Sequence, residues 1–216
     1  MAMNIVIVGV GGQGTILASK LLAQAAISEG LMVRTAETIG MAQRGGSVLG
    51  YLKIFSPDDP EAPLAPLVGP GQADLLLAFE PAEAARNRQL LKPGGCLICS
   101  SQPIIPVQSQ LSKAADQVYD MDRILSWLQA EAAAPSGFTL RIVDTQSLCT
   151  QMGTNRVLNV LLVGVALGTG RLPVQTASLQ QALKQLVPER FAALNDQALA
   201  LGQQIGQAPE GENHEG

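Results

Sequence analysis

An apolar run, IVIV at 5–8, passes directly into GVGGQG at 9–14, and TILASKLLAQAAIS follows at 15–28. A short, continuous apolar run predicts a buried central strand of a parallel sheet. Leu17, Leu21, Leu22, Ala25 and Ala26 fall on one stripe of a 3.6-residue repeat, so 15–28 reads as a helix, with Gly30 in place to end it. Residues 31–36 read as the returning strand. Strand, glycine turn, helix and strand make a βαβ unit, which points to an α/β fold with a parallel sheet.

The rest of the chain continues the rhythm. Residues 47–55 form a third strand pattern, rich in Val, Leu, Tyr and Ile. Prolines 57, 60, 63, 66 and 70 make 57–71 an irregular connection. Residues 73–79 read as a buried strand, Pro81 as the first residue of a short helix reaching 91, KPGG at 92–95 as a turn, and 96–100 as a fifth strand. A helix over 122–134 and a strand over 139–144 follow. The stretch 155–167 is apolar nearly all round and predicts a buried central helix, in which Gly164 and Gly168 allow close packing. Helices over 179–187 and 190–205 close the pattern. The expected fold is a three-layer, Rossmann-like α/β domain, with a mostly parallel sheet flanked by helices. It occupies 1–206, and 207–216 is a polar, disordered tail. The apolar content agrees: 47% of residues are hydrophobic but only 3% are aromatic, so packing rests on Ala, Val, Leu and Ile.

Charge and residue usage exclude several functions. With 14 basic against 18 acidic residues and no basic run, nucleic acid is not an expected partner. The most apolar later stretch, 157–167, is too short to span a bilayer, and the start does not read as a secretory leader, so no membrane role is expected. Three cysteines make no disulfide framework, which suits a reducing cytoplasm. The one histidine, His214, lies in the tail. The folded part therefore has no histidine for a Ser–His–Asp or Cys–His pair, and none for a metal site. Cys96 and Cys99 form a CxxC on a strand, where residues three apart face opposite ways, so two buried thiols are expected and no metal. Glu80, Asp120 and Asp144 stand near strand ends with no spacing that pairs them, and Asn155 and Arg156 open a helix, where capping is the simpler role.

Two glycine segments carry the candidate chemistry. Gly9, Gly11, Gly12, Gln13 and Gly14 match GxGxxG between a strand and a helix, a turn suited to an anion. Glu37, at the end of the second strand, stands where a ribose-binding acid would lie. Alone, this pair admits an NAD(P)-binding dehydrogenase, or a turn that needs glycine for packing only. The second segment is Met41-Ala42-Gln43-Arg44-Gly45-Gly46. Glycines beside a guanidinium expose N–H groups next to a cation and make an anion nest, against the plainer reading of a solvated loop arginine.

Taken together, GVGGQGTILASKLLAQAA, ETIGMAQRGGSVLGYLKI, GTNRVLNVLLVGVALG and the ending RFAALNDQALALG resemble the gamma-type subunit or domain of 2-oxoacid:ferredoxin oxidoreductases. The Met-Ala-Gln triplet before Arg44 is most similar to the beta subunit of indolepyruvate oxidoreductases. The resemblance implies an accessory subunit that is inactive alone. The larger partner would carry thiamine diphosphate with Mg and the iron–sulfur clusters, and ferredoxin would accept electrons from the assembly. In such enzymes a thiamine carbanion attacks the keto carbon of a 2-oxoacid, carbon dioxide leaves, and the acyl group passes to coenzyme A. The chain agrees in having neither a GDG-type thiamine motif nor a CxxCxxC run. Domains of this kind are not nicotinamide enzymes, so the resemblance implies no cofactor bound by this chain alone. It implies an active-site edge or interface at Glu37, Met41, Gln43, Arg44, Gly45 and Gly46. The GVGGQG turn would pack the first helix or hold coenzyme A phosphates. The two segments are expected to converge, at the C-terminal ends of adjacent parallel strands. A second copy of the chain is a further candidate partner.

Overall fold

The computed structural model describes residues 2–40, 46–104 and 119–209, the side chain of Ile39 excepted. Six strands form one sheet: β1 (Met3–Val10), β2 (Met32–Ile39), β3 (Ser47–Phe55), β4 (Ala73–Ala78), β5 (Leu91–Ser100) and β6 (Thr139–Val143). Seven α-helices are described: α1 (Thr15–Ser28), α2 (Pro81–Asn87), α3 (Met121–Ala132), α4 (Thr145–Gln151), α5 (Leu158–Gly168), α6 (Thr176–Leu186) and α7 (Ala192–Gln207).

The strand order is β2-β3-β1-β4-β5-β6. Strand β1 pairs parallel with β4, β4 with β5 and β5 with β6, while β3 runs antiparallel to both its neighbours. The sheet is therefore mostly parallel, as expected. One expectation needs correction. Strands β1 and β2 are not adjacent, because β3 turns back after β2 and inserts between them. Residues 47–55 alternate buried and half-buried positions, the signature of an antiparallel strand with one face in the core.

Both faces of the sheet are covered. Ile5, Ile7, Leu75, Leu77 and Ile98 point into a large core with α1, α5, α6 and α7. Val6, Val8, Leu76, Leu97 and Cys99 point the other way, onto α2 and α3 through Ala84 and Leu128. Alternation along β5 puts Cys96 in the first core and Cys99 in the second, as residues three apart on a strand require.

Helix α5 is the buried central helix, and it meets α7 at backbone distance. A Cβ built on Gly164 would lie 2.4 Å from the Leu199 carbonyl oxygen, and one on Gly202 would lie 2.1 Å from that of Leu161. Gly168 and Gly206 repeat the contact one turn further on, at 2.2 Å from the carbonyl oxygens of Gln203 and Val165 respectively.

Smaller departures have local causes. The KPGG segment is no turn between elements. It lies inside β5, where the pairing with β4 jumps from Ala73–Leu91 to Leu75–Cys96 and Gly94 takes a positive φ of 71°. Helix α4 has no counterpart in the sequence reading, since TQSLCTQ carries no apolar repeat. The helix expected from 155 starts with a 3-10 turn, Asn155–Val157. Its cap is Thr154, whose hydroxyl accepts the Arg156 N–H at 3.2 Å, so Asn155 and Arg156 are not the capping residues. Helix α7 ends at Gln207, one residue beyond the expected domain limit.

Candidate functional site

The C-terminal ends of β1, β4, β5 and β6 lie along one edge of the sheet, where open α/β sheets build their sites. At that edge the GVGGQG turn is wired by its own glutamine. Gln13 Oε1 accepts the Val10 N–H at 2.7 Å, and Gln13 Nε2 donates to the Phe79 carbonyl at 2.8 Å, tying the turn to the end of β4. The Gln13 N–H donates to the Val10 carbonyl at 3.1 Å, and the Gly11 N–H to the Gly46 carbonyl at 3.0 Å. The N–H groups of Val10, Gly11 and Gln13 are therefore engaged within the protein. What the turn offers outward is the exposed tip at Gly11–Gly12 and the start of α1, which has no side-chain cap.

Glycine is required here for stated reasons. Gly14 sits at φ 82°, and a Cβ on it would lie 2.5 Å from Asn159 Nδ2. On Gly9 a Cβ would approach Thr15 Cγ2 to 2.8 Å and Gln13 Oε1 to 2.9 Å. Asn159, buried on α5, donates to the Gly14 carbonyl at 3.4 Å. Asn159 is a site residue that no sequence motif marks. Its one signal is a polar residue in the first turn of an otherwise apolar helix.

The two glycine segments meet, as the Gly11–Gly46 hydrogen bond shows. They meet through β3 and not through adjacent parallel strands: Gly46 immediately precedes β3, whose Ser47 pairs with Val10. Met41, Gln43, Arg44 and Gly45 lie outside the described residues. Glu37 is exposed on the edge strand β2, opposite Gly50 of β3. A whole strand separates it from β1, roughly 10 Å at two strand spacings. The ribose-acid geometry, which needs the second strand beside the first, is not present.

Behind this edge lie two buried acids. Glu80 and Glu83, on the first turn of α2, are 1% and 2% exposed. Glu80 caps the helix by accepting the Glu83 N–H at 2.8 Å, and Tyr119 donates its phenol to the other oxygen. The same phenol oxygen accepts the Ala82 N–H at 3.1 Å. Burial, and then the hydrogen bond to Glu80, push the Tyr119 phenol well above its usual range. Burial, followed by the Glu80 charge, does the same to the Cys99 thiol. Ser47 donates to Glu83 at 2.5 Å, and Arg86 pairs with the second Glu83 oxygen.

The other acids named from the sequence cap helices. Asp120 accepts the Arg123 N–H at 3.0 Å. Asp144 accepts the Ser147 hydroxyl at 2.6 Å and its N–H at 3.1 Å, which hold the Asp144 carboxyl below its usual range. Among the described residues no three His, Cys, Asp or Glu side chains come together as a metal site. No described helix is long and apolar enough to cross a membrane.

The family model for pyruvate ferredoxin/flavodoxin oxidoreductase matches residues 4–205. The indolepyruvate oxidoreductase subunit IorB of Archaeoglobus fulgidus is 35% identical over 204 residues, 94% of this chain and 94% of that protein. IorB of Thermococcus kodakarensis is 34% identical over 200 residues, 92% and 93% of the two chains. Among solved structures, the keto/oxoacid ferredoxin oxidoreductase gamma subunit from Geobacter sulfurreducens aligns with a TM-score of 0.68 at 23% identity, over 96% of this chain and 99% of that one. The 2-oxoglutarate:ferredoxin oxidoreductase from Magnetococcus marinus, solved with 2-oxoglutarate, coenzyme A and succinyl-CoA bound, gives 0.71 at 19% identity, over 96% of this chain and 31% of that longer one. At such identities the two structures show that the fold is shared.

Proposed function

Since the chain belongs to the pyruvate ferredoxin/flavodoxin oxidoreductase family, we propose that it is the accessory subunit of a 2-oxoacid:ferredoxin oxidoreductase whose substrate is indolepyruvate or another aryl pyruvate. The assembly would convert the 2-oxoacid and coenzyme A into acyl-CoA and carbon dioxide, with ferredoxin taking the electrons. The observation that carries this reading is the 35% identity to an indolepyruvate oxidoreductase subunit along 94% of both chains. A larger partner would bring thiamine diphosphate, Mg and the iron–sulfur clusters, and with them the decarboxylation and electron transfer.

This chain's own residues would shape one edge of the shared site. Gln13 holds the GVGGQG turn against β4, and Gly46 holds it against the start of β3. In this reading Arg44, with Gly45 and Gly46, faces the partner or the coenzyme A phosphates, and Met41 and Gln43 line the same edge. The turn itself fits a phosphate only at its tip and at the start of α1, because its other donors are spent internally. Nothing in the sheet favours the nicotinamide reading, since β3 separates Glu37 from the turn.

Anaerobic copurification of the tagged chain from its host tests the proposal. The expected result is a coloured complex with a larger subunit that reduces ferredoxin when given indolepyruvate and coenzyme A, while the chain alone is inactive. A chain that purifies alone and colourless, or one that binds NAD(H) at micromolar concentration, would overturn it.

A further inference from the structure

Glu83, one of the two acids buried behind the sheet edge, has no role in the proposed chemistry. It comes from α2 and is 2% exposed. A carboxylate is costly to bury and is tolerated where its oxygens have donors. Both have one: Arg86 on Oε1, and the Ser47 hydroxyl on Oε2 at 2.5 Å. The second contact joins elements distant in sequence. Ser47 is the first residue of β3, and its carbonyl accepts the Gly40 N–H at 2.9 Å. The preceding carbonyl, that of Gly46, accepts the Gly11 N–H at 3.0 Å. Ser47 thus ties α2 to the exit of β2, and the carbonyl just before it holds the tip of the glycine turn.

An apolar contact would hold the start of β3 against α2 without burying a charge. What the carboxylate adds is direction. A short hydrogen bond to a carboxylate anchors the Ser47 side chain to α2 and so restrains the backbone at the start of β3, including the peptide that joins Gly46 to Ser47. That peptide carries the acceptor for Gly11.

We infer that Glu83 is a positioning residue: acting through Ser47, it sets the Gly46–Ser47 peptide and so holds the glycine turn in one geometry for the assembled enzyme. The inference rests on the reading of this chain as an accessory subunit, and its test separates the two. The first measurement is amide hydrogen exchange on the isolated chain. Ser47→Ala should raise exchange at Gly11 and Gly40 together by roughly ten- to a hundredfold, the range carried by a lost hydrogen bond to a charged group. Ser47→Thr, which keeps the hydroxyl, should restore both, and amides in α5 should not change.

The second measurement is kinetic, on the complex with the larger subunit. Ser47→Ala and Glu83→Ala should each lower kcat/KM roughly tenfold while the complex still forms, and Ser47→Thr should recover it. If Glu83→Ala fails to fold, the serine pair carries the test. Unchanged Gly11 exchange in Ser47→Ala, or unchanged kcat/KM in an intact complex, overturns the inference. An inactive wild-type complex overturns the functional reading instead, and the exchange data still decide whether Glu83 holds the turn.

Discussion

Asn159 donates to the Gly14 carbonyl across 3.4 Å, so the helix that opens with GTNRVLN is fastened to the turn that opens the chain. The contact also explains why position 14 is glycine. Its φ of 82° is in the left-handed region, and a Cβ there would stand 2.5 Å from the asparagine amide. Gly14→Ala should therefore destabilise the chain by about 2–3 kcal/mol, combining backbone strain with the clash. Asn159→Ala removes the clashing group, so the double variant should lose less than the sum of the singles. Urea unfolding of the four proteins measures this; strict additivity would mean that the contact is not the cause.

The seam between α5 and α7 predicts an inverted sign. Alanine normally favours a helix over glycine by up to about 1 kcal/mol. At Gly164 and Gly202 the new Cβ would meet a carbonyl oxygen at 2.4 Å and 2.1 Å. Backbone cannot rotate away as a side chain can, so the helices must separate. Gly164→Ala and Gly202→Ala should each cost about 2–3 kcal/mol or more. Gly30→Ala is a control for backbone strain alone, at φ 81° with open space around the Cβ, and should cost about 1–2 kcal/mol. Thermal or urea unfolding would show the ranking.

These two sites also mark what the sequence could reveal. The helix over 15–28 and the strand over 47–55 are legible to the residue, because a local period defines each, with glycines on both sides of the helix and glycine before and Ser56-Pro57 after the strand. The glycines of α5 are legible as packing positions, because the helix around them is apolar on every side. Strand order is not, since nothing in residues 47–55 says that they pair with both β1 and β2. That pairing moves Glu37 to the sheet edge and removes the ribose-acid geometry. Glu83 is missed for a related reason. PAEAARN reads only as the start of a short helix, with nothing in it to mark Glu83 as buried, and only the fold brings Ser47 to it. The one local hint is Glu80 before Pro81 and three residues ahead of Glu83, a capping spacing.

Alkaline pH should weaken the fold. The Cys99 thiol is buried and its pKa lies far above the ordinary value of 9.0, with burial as the main cause and the Glu80 charge second. The Tyr119 phenol is raised in the same direction from its ordinary 10.0. Both groups stay protonated in the folded chain and ionise freely once it unfolds. Their contribution is complete below the unfolded values and is lost as pH rises from about 9 upward, at no more than about 1.4 kcal/mol per pH unit for the buried Cys99 and less for the half-buried Tyr119, which solvent screens. Cys99→Ala should flatten the first part of that decline, and Tyr119→Phe the part above pH 10. Urea midpoints between pH 8 and 11, read at each half unit, follow the slope.

Arg44 carries the functional prediction. It is flanked by Gly45 and Gly46, and Gly46 is bonded to the tip of the GVGGQG turn. In the reading proposed above, the guanidinium meets either the coenzyme A phosphates or the partner at the shared site. Arg44→Ala should then lower kcat/KM of the reconstituted enzyme by about ten- to a hundredfold, the range for one charge-assisted contact. Arg44→Lys should recover only part of it, because a lysine keeps the charge and loses the planar pair of donors. A rise in the coenzyme A KM with kcat unchanged would place the arginine on the phosphates. A fall in kcat with that KM unchanged would place it where the partner closes on the reacting centre. Wild-type kinetics for Arg44→Ala in an intact complex would remove Arg44 from the site.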